Sequence, residues 1–553
     1  MIKKIKIKNI VLLLSLLMMT GCDFMDCDES DNFTKQEVLD SYNRVKQLAT
    51  NVYGFLKADF CSIDGAMLDA ATDDAVHIYK SSNIQRFVDG TWSANNLVDN
   101  VWGHYYEGIR AANFYLKETA GLTFDEWKYS DDYEDIMKEF TNYQYEVRFL
   151  RAYFYFELIK RYRNIPFVLD VLVQDEANGI NPESYEKIAK FIVDECSDLA
   201  RILPVNYDNF STKEKGRVTR AAAMALKSRV TLYMASPLFS EDSEDKWKQA
   251  AEAAYDIIKQ KTDLGLDLIP YPQIFDDVNN QKAEVILYRP TGERGDFEKA
   301  NFPIGVEEGK TSTCPTQNLM EAYDMKDGTP FVWSNQSNPY DNRDPRMKYT
   351  IVCNGMKWPV GPVEIWEGGA NGLPLQNATT TGYYLKKYVN NTISFEAGST
   401  VTKKQHNWVL FRYGEILLNY AEAMINAFHD PNYKDAVYNM SAREAVNQIR
   451  GRTNIALAGL PSDITEKDFV KRLKNERRVE LAFEGHRFWD VRRWKELEQT
   501  ANIYGIKITK NNEVISYEKF LLETRAVTDN MYFYPIPNTE RFKNPNLGQN
   551  PGW

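Results

Sequence analysis

The chain has 553 residues, with 67 Lys and Arg against 78 Asp and Glu, and its formal charge at pH 7 is −11. This acidic balance argues against nucleic acid as a partner and against a basic patch that would bind anionic lipid. The 6 cysteines contain no CxxC pair and the 5 histidines contain no HExxH motif, so neither a disulfide framework nor a metal site is indicated. A GxSxG elbow, a P-loop, a GxGxxG loop and an EF-hand are absent as well, and we expect no catalytic residues and no cofactor.

Residues 1–21 have the features of a lipoprotein signal peptide that ends just before Cys22. Four lysines precede an apolar stretch from Ile10 to Met19, and the small residues Thr20 and Gly21 follow it. About 10 apolar residues are too few for a bilayer that needs roughly 20. Two acyl chains on Cys22 would anchor the protein stably, and removal of the 4 leader lysines changes the formal charge from −11 to −15. The mature chain is therefore predicted to be tethered at a membrane surface and not to span it.

Apolar residues at helical spacing fill the first half of the mature chain. They predict helices over residues 35–56, 102–116, 146–162, 184–203, 219–234 and 247–258. Runs of alanine, at 221–223 and around 250–254, would let neighbouring helix backbones approach closely. Stacked helix pairs of a solenoid and an irregular helical bundle both fit this pattern.

The character of the chain changes at residue 264. Gly, Pro, Asn and Thr become frequent as far as residue 404, and short strands such as 284–288 are expected there. Helices are predicted again at 413–427, 442–452 and 467–485. No linker divides the chain, so 22–263, 264–404 and 405–553 are interpreted as a helical part, a loop-rich ligand-binding insertion and a second helical part of one compact unit.

Two motifs near the end of the chain carry a family resemblance. Residues 476–494 read ERRVELAFEGHRFWDVRRW, and the chain ends in YPIP at 534–537 and NPNLGQNPGW at 544–553. These motifs resemble those of the SusD/RagB family, outer-membrane nutrient-binding lipoproteins. Shorter agreements, such as Trp102 with Tyr106, Ile109 and Asn113, extend the resemblance over the whole mature chain, in order.

The resemblance implies a predominantly α-helical fold built on a tetratricopeptide-like scaffold of four helix pairs, with an irregular middle region. It implies a lipid-anchored protein on the outside of the outer membrane that captures glycan and delivers it, as a lid, to a SusC-like TonB-dependent transporter. By its composition alone, the acidic run from Asp23 to Asp31 fits a solvated tether and a sorting signal equally well. In the family it looks like an export signal.

The residues of the first motif also indicate a structural role, without reference to the family. Glu480 and Glu484 lie one helical turn apart, and Arg477 and Arg487 lie three residues outside them. This spacing predicts ion pairs along one helix face. Such a cluster organises a fold more often than it performs chemistry, so we interpret it as structural.

Glycan recognition needs flat aromatic rings for stacking and polar groups for hydroxyls. The resemblance implies a site built from an N-terminal loop and loops of the middle region. One polar N-terminal segment supplies suitable residue types, and so do loops of the middle region. The predicted ligand contacts are Asp73, Arg86, Trp92 and Asn95 from the first, and Trp333, Tyr340 and Trp366 from the second.

Two other functions remain open at this level. A peptide-binding lid of the RagB kind would rely on backbone hydrogen bonds and side-chain pockets. A surface glycosidase would need two carboxylates about 5 to 10 Å apart across a cleft. No motif in the chain singles out such a pair.

Overall fold

The computed structural model describes residues 33–210, 212–241, 243–279, 282–334, 338–396 and 402–553. The predicted signal peptide, the lipidation site Cys22 and the acidic run after it lie outside these residues. Among the helices that are described, none is long and apolar enough to cross a membrane. The helices are α1 (Lys35–Leu39), α2 (Tyr42–Tyr53), α3 (Gln85–Asp89), α4 (Trp102–Glu118), α5 (Tyr133–Tyr162), α6 (Gln174–Ala177), α7 (Tyr185–Ile202), α8 (Arg220–Ala235), α9 (Glu244–Lys259), α10 (Asp296–Asn301), α11 (Gln317–Ala322), α12 (Met347–Thr350), α13 (Tyr413–Phe428), α14 (Ala442–Arg450), α15 (Glu466–Glu480), α16 (Arg487–Arg493) and α17 (Asn538–Lys543).

The long helices pack in chain order into the scaffold. Helix α4 packs against α5, α5 against α7, α7 against α8, α8 against α9, and α9 against α13, which in turn contacts α14. The alanine runs lie buried in α8 and α9, where small side chains allow close packing. The expected predominantly α-helical, tetratricopeptide-like scaffold is confirmed.

Local signals explain several helix ends. The Ser184 side chain accepts a hydrogen bond from the Lys187 backbone amide and caps α7, and Ser441 with Glu444 forms a capping box at α14. The first predicted helix is divided in two, because α1 ends at Leu39 and α2 begins at Tyr42. Helix α5 begins at residue 133, well before the predicted start at 146.

The strands form small antiparallel pairs, some in the middle region, where short strands were expected, and others outside it. They are β1 (Ala75–His77), β2 (Ile165–Pro166), β3 (Pro182–Glu183), β4 (Val285–Arg294), β5 (Thr313–Pro315), β6 (Ile351–Val352), β7 (Lys357–Trp358), β8 (Gly361–Pro362), β9 (Tyr384–Leu385), β10 (Lys404–Arg412), β11 (Asn502–Asn511) and β12 (Val514–Thr524). In the described part of the chain the pairs are β1 with β5, β2 with β3, β4 with β10, β6 with β9, β7 with β8, and β11 with β12.

The pairing of β1 with β5 joins the N-terminal part of the chain to the middle region. Ala75 lies opposite Pro315, and His77 lies opposite Thr313. Backbone hydrogen bonds continue the contact beyond the strands, from the Ile78 amide to the Ser312 carbonyl oxygen at 3.2 Å. The division of the chain at 263/264 and at 404/405 stays a prediction.

The first family motif is not one continuous helix. Helix α15 ends at Glu480, and the chain then turns through Phe483 (φ 58°) and Gly485 (φ 74°) before α16 begins at Arg487. A left-handed glycine of this kind commonly follows a helix end, because it has no Cβ to clash with the backbone. The predicted helix over 467–485 is therefore too long.

The expected ion pairs along one helix face are wrong, because the partners come from distant segments. The arginines that pair with Glu480 are Arg346, Arg412 and Arg452. Glu484 pairs with Arg412 and with Lys387. Glu480 is 0% exposed, so this motif joins the middle region, β10 and α15 in the interior.

Candidate functional site

A groove of about 260 Å³ opens where β1 meets β5. We call it the paired-strand groove. Its lining residues are Asp64, Gly65, His77, Tyr79, Ser81, Ser82, Ala300, Lys310 and Ser312. The groove therefore lies between the N-terminal polar segment and the middle region, which is the junction that the sequence led us to expect.

His77 lines this groove with a neutral imidazole ring that is buried, at 3% exposed. Burial lowers the pKa of His77 to about 4, so the ring carries no charge at pH 7. Its Nδ1 lies 3.3 Å from the Ser312 Oγ, and the Ser312 hydroxyl donates to the Gly65 carbonyl oxygen. These contacts hold the ring in place beside the start of β5.

Tyr79 adds a partly exposed aromatic ring beside the imidazole. The two ring centres lie 5.5 Å apart, and the Tyr79 hydroxyl donates to the Lys310 carbonyl oxygen at 2.7 Å. The Gln85 side chain donates to the carbonyl oxygens of His77 at 2.9 Å and of Tyr79 at 3.2 Å. These bonds hold the segment 77–79 in place against α3 and the middle region.

Polar groups surround the two rings. The carboxylate of Asp64 accepts from the Asn83 backbone amide at 2.8 Å. Ser81 and Lys310 are exposed, and their side chains make no hydrogen bond to the described part of the protein. The groove thus combines an aromatic surface with a hydroxyl, an ammonium and a carboxylate that solvent or a ligand can reach.

Two of the predicted contact residues are buried. Asp73 is 3% exposed and pairs with Arg487 at 2.9 Å and with Arg478 at 2.9 Å. Burial acts to raise the pKa of Asp73, but the two guanidinium groups outweigh it, and the pKa lies below its ordinary value. The prediction that Asp73 binds ligand does not fit this position, because its carboxylate is taken up by ion pairs in the interior.

Trp92 is 2% exposed, so its ring has no face open to a ligand. It packs against Phe87, Tyr534 and Trp553 with ring centres 4.6 to 5.2 Å apart. The prediction of a stacking surface at Trp92 does not fit this burial. Trp92 instead joins the N-terminal segment to the terminal motif.

Arg86 and Asn95 lie nearer the surface. Arg86 follows Gln85 in α3, is partly exposed, and its guanidinium forms no ion pair or side-chain hydrogen bond within the described ranges. Asn95 is exposed, and its Oδ1 accepts from the Asn538 side chain at 2.9 Å. Ligand contact by these two residues stays a prediction.

The three aromatics of the middle region do not gather at the paired-strand groove. Two of them contact the hairpin of β11 and β12: the Tyr340 ring lies 5.4 Å from that of Tyr517, and the Lys510 Nζ lies 4.8 Å over the Trp366 ring. Trp333 packs near Phe331, with ring centres 6.5 Å apart. These three residues are therefore not brought together with the N-terminal segment, and their contact with ligand stays a prediction.

The residues that line the groove were missed because the elements that carry them are short. His77 and Ser312 are 235 residues apart in sequence. Each lies at or beside a strand of three residues, too short for an alternating pattern to reveal. The sequence pattern that could have identified them is the spacing of His77 and Tyr79 at i and i+2, which places two rings on one face of an extended segment that is rich in polar residues.

No group of three or more His, Cys, Asp and Glu side chains is placed to hold a metal ion in the part of the chain that the structure describes. The described cysteines, Cys61, Cys196, Cys314 and Cys353, are free thiols.

Comparison with known proteins gives a consistent result. Residues 274–553 match the model of the SusD family, and residues 23–232 match a model described as starch-binding associating with outer membrane. The SusD-like protein P25 of Formosa agariphila is 22% identical over 534 residues, which cover 88% of this chain and 90% of that protein. A SusD-like protein from Bacteroides fragilis superposes with a TM-score of 0.76 at 25% identity, covering 94% of this chain and 99% of that one. A SusD-like carbohydrate binding protein from the same species gives a TM-score of 0.74 at 24% identity, with 92% and 100% covered.

Proposed function

The chain belongs to the SusD family, and from this premise we propose that it is a cell-surface glycan-binding lipoprotein that captures oligosaccharide in the paired-strand groove. The observation that carries the proposal is the placement of the partly exposed Tyr79 ring beside the exposed polar groups of Asp64, Lys310 and Ser81. A starch-binding description for residues 23–232 and a carbohydrate-binding structural neighbour support the same ligand class.

The groove has the chemistry that a sugar requires. A pyranose ring has an apolar face, which stacks on an aromatic ring, and hydroxyls that both donate and accept hydrogen bonds. Tyr79 offers the ring, the carboxylate of Asp64 accepts, and the Lys310 ammonium donates. At about 260 Å³ the groove lies just below the usual range of ligand-pocket volumes, so it suits one or two sugar rings of a longer chain.

The same groups favour binding without turnover. A glycosidase needs two carboxylates on opposite sides of the scissile bond. Among the lining residues of the groove, Asp64 is the single carboxylate, and it is already bonded to a backbone amide. Binding alone needs no second carboxylate, and the proposal is therefore of a non-enzymatic protein.

We also infer how the protein is used at the cell surface. Lipidation of Cys22 would anchor it in the outer membrane with the groove facing the exterior, and a SusC-like TonB-dependent transporter would receive the captured glycan beneath it as under a lid. The family description of outer-membrane association supports the location. A Cys22→Ala variant tests the anchor, because it should be released from the membrane fraction and lose labelling by radioactive palmitate. Retention in the membrane fraction would contradict it.

The transporter is tested by purifying tagged protein from detergent-solubilised membranes of the native host. The proposal expects a TonB-dependent transporter in stoichiometric amount. Its absence from a preparation that still binds glycan would contradict the lid but not the binding protein.

The binding proposal is tested by calorimetry on the mature chain begun after Cys22. The probes are neutral and charged oligosaccharides and peptide pools, with chromatography of products in parallel. We expect saturable binding of at least one neutral glycan, no products, and about a tenfold or greater loss of affinity in Tyr79→Ala, since one stacking ring is worth roughly 1.4 kcal/mol or more. The matched control is Tyr129→Ala, because Tyr129 is 94% exposed and outside the groove. Binding of peptides alone would favour a peptide-binding lid, and released sugars would overturn the non-enzymatic proposal.

A further inference from the structure

A second groove of about 330 Å³ lies where the middle region meets the hairpin of β11 and β12. It runs between the loop 365–382 and the hairpin of β11 and β12. We call it the hairpin groove, and the lining residues that matter for its chemistry are Glu367, Leu373, Thr380, Lys507, Glu518 and Phe520. None of its lining residues belongs to the paired-strand groove.

The two walls of the hairpin groove are fixed to each other by backbone bonds. The Ile506 amide donates to the Thr381 carbonyl oxygen at 2.9 Å, and the Glu367 amide donates to the Ile508 carbonyl oxygen at 2.9 Å. Gly382, at φ 84°, permits the close approach, because a Cβ there would lie 2.5 Å from the Ile506 carbonyl oxygen. The groove is therefore a preformed feature that needs no ligand to shape it.

An aromatic ring lies across the strand at the bottom of the groove. Phe520 on β12 is opposite Gly505 on β11, and a Cβ on Gly505 would lie 2.9 Å from the Phe520 ring. The ring thus occupies the space that a side chain at position 505 would fill. The ring stays partly exposed, and Leu373, which lines the same groove, is 46% exposed. An apolar surface with an aromatic ring is held open to solvent here.

Charged groups that are easily displaced form the rim. Lys507 and Glu367 pair at 3.3 Å, and their side chains are 48% and 51% exposed. An exposed pair of this kind contributes little to stability, so hydroxyl groups can replace its bonds at small cost. Glu518, directly across the ladder from Lys507, is exposed and adds a second carboxylate.

We propose that the hairpin groove is a second carbohydrate-binding site, which takes a neutral sugar unit with its apolar ring face on Phe520 and Leu373. The rim has two carboxylates and one ammonium, so its net negative charge repels uronic acids and sulfated sugars. Glu367, Glu518 and Lys507 bind hydroxyls as acceptors and donor. Together with the paired-strand groove, it makes the protein bivalent, and a long polysaccharide binds more tightly than its short fragments because the second contact is intramolecular.

The test uses four forms of the mature chain: wild type, Tyr79→Ala, Phe520→Ala and the double variant. The probes are neutral polysaccharides, namely starch, laminarin, xylan and galactomannan, and the readout is retardation in affinity gels followed by calorimetry on the one that binds. We expect Phe520→Ala to weaken polysaccharide binding about tenfold, in the wild-type and in the Tyr79→Ala background alike. Phe520→Leu keeps the apolar bulk but removes the aromatic face, so it shows whether the loss comes from the ring and not from misfolding. Leu521→Ala is the matched control, because Leu521 is 53% exposed on the same strand.

The outcomes separate the two sites. If Tyr79→Ala abolishes binding and Phe520→Ala changes nothing, the second site is overturned while the paired-strand groove stands. If Phe520→Ala alone removes binding, the second site stands and the first fails. No retardation of the wild type by any of the probes overturns both. A loss in Phe520→Ala that Leu521→Ala reproduces equally would show a general effect on the hairpin and would also overturn the second site.

Discussion

Replacement of Glu480 by glutamine tests whether the charged interior holds the fold together. Glu480 is 0% exposed and accepts hydrogen bonds at 2.8 Å from Arg346, 2.8 Å from Arg412 and 2.7 Å from Arg452. Loss of its charge leaves these guanidinium groups buried with too few counter-charges. Breaking a buried pair in this way costs about 3–5 kcal/mol. With an unfolding entropy of about 2.1 cal/mol/K per residue over roughly 520 residues, this corresponds to a fall in Tm of about 3–5 °C.

The assay is differential scanning calorimetry of the mature chain at pH 7, with Glu513→Gln as control. Glu513 has an exposed side chain and pairs with Lys510 at 3.4 Å, so its replacement should leave Tm unchanged. A fall of less than 1 °C in Glu480→Gln would refute the reasoning. It would show that the arginines are satisfied without Glu480.

The pH dependence of the same variant has a definite sign. Burial acts to raise the pKa of Glu480, but Arg452, Arg412 and Arg346 outweigh it and hold the pKa well below its ordinary value. A carboxylate with a depressed folded-state pKa stabilises fully above its unfolded pKa of about 4.3 and loses this contribution as pH falls further. The Tm difference between wild type and Glu480→Gln should therefore be constant from pH 7 to about 5 and shrink below that. A difference that grows on acidification would contradict the assignment.

Two further predictions concern buried side chains. Burial acts to lower the pKa of His406, but its hydrogen bond of 2.8 Å to Glu298 outweighs burial, and the pKa is raised. The stabilising contribution of the charged imidazole is therefore complete below about pH 6.5 and is lost as pH rises through the raised pKa. His406→Gln should consequently lower Tm more at pH 6 than at pH 9 in calorimetry, and an equal loss at both would count against the charged pair. Trp92→Ala should lower the free energy of unfolding by about 3–5 kcal/mol, the cost of a large core truncation, while the Kd for glycan stays within about twofold. A large loss of glycan affinity with an unchanged Tm would show that Trp92 contacts the ligand after all.

Much of the helical scaffold could be predicted from the sequence, since amphipathic spacing reports burial directly. Helices α4, α7, α8, α13 and α14 lie within one or two residues of their predicted ends. The early start of α5 was missed because buried polar residues, Glu139 and Asn142, alternate with the buried Ile136, Phe140 and Tyr143 in its first turns. Glu139 accepts a hydrogen bond from Tyr42 of α2, and a partner so distant in sequence cannot be predicted from a local pattern.

The candidate site was predicted less well, because its geometry depends on contacts between distant segments. Asp73 and Trp92 have residue types suited to sugars, yet Arg487 and Trp553 from the far end of the chain bury them. The location implied by the resemblance, an N-terminal segment next to the middle region, stays a prediction, and the paired-strand groove lies at such a junction. No sequence pattern predicted the hairpin groove, because its two walls, the loop 365–382 and the hairpin of β11 and β12, are far apart in the sequence.

Local spacing misled in the case of the charged motif. Ion pairs between Glu480, Glu484, Arg477 and Arg487 satisfy the helical rule, but the backbone turns at Gly485 and redirects the second arginine. Arg477 bonds to Asp490 instead, at 2.8 Å. The interpretation of the motif as structural agrees with this geometry.

The most direct test of the central claim is a crystal structure of the mature chain with the oligosaccharide that calorimetry identifies. Glycan capture in the paired-strand groove predicts electron density for a sugar ring against Tyr79, with hydroxyls bonded to Lys310 or Asp64. Density for an intact oligosaccharide elsewhere, with the paired-strand groove empty at saturating ligand, would contradict it.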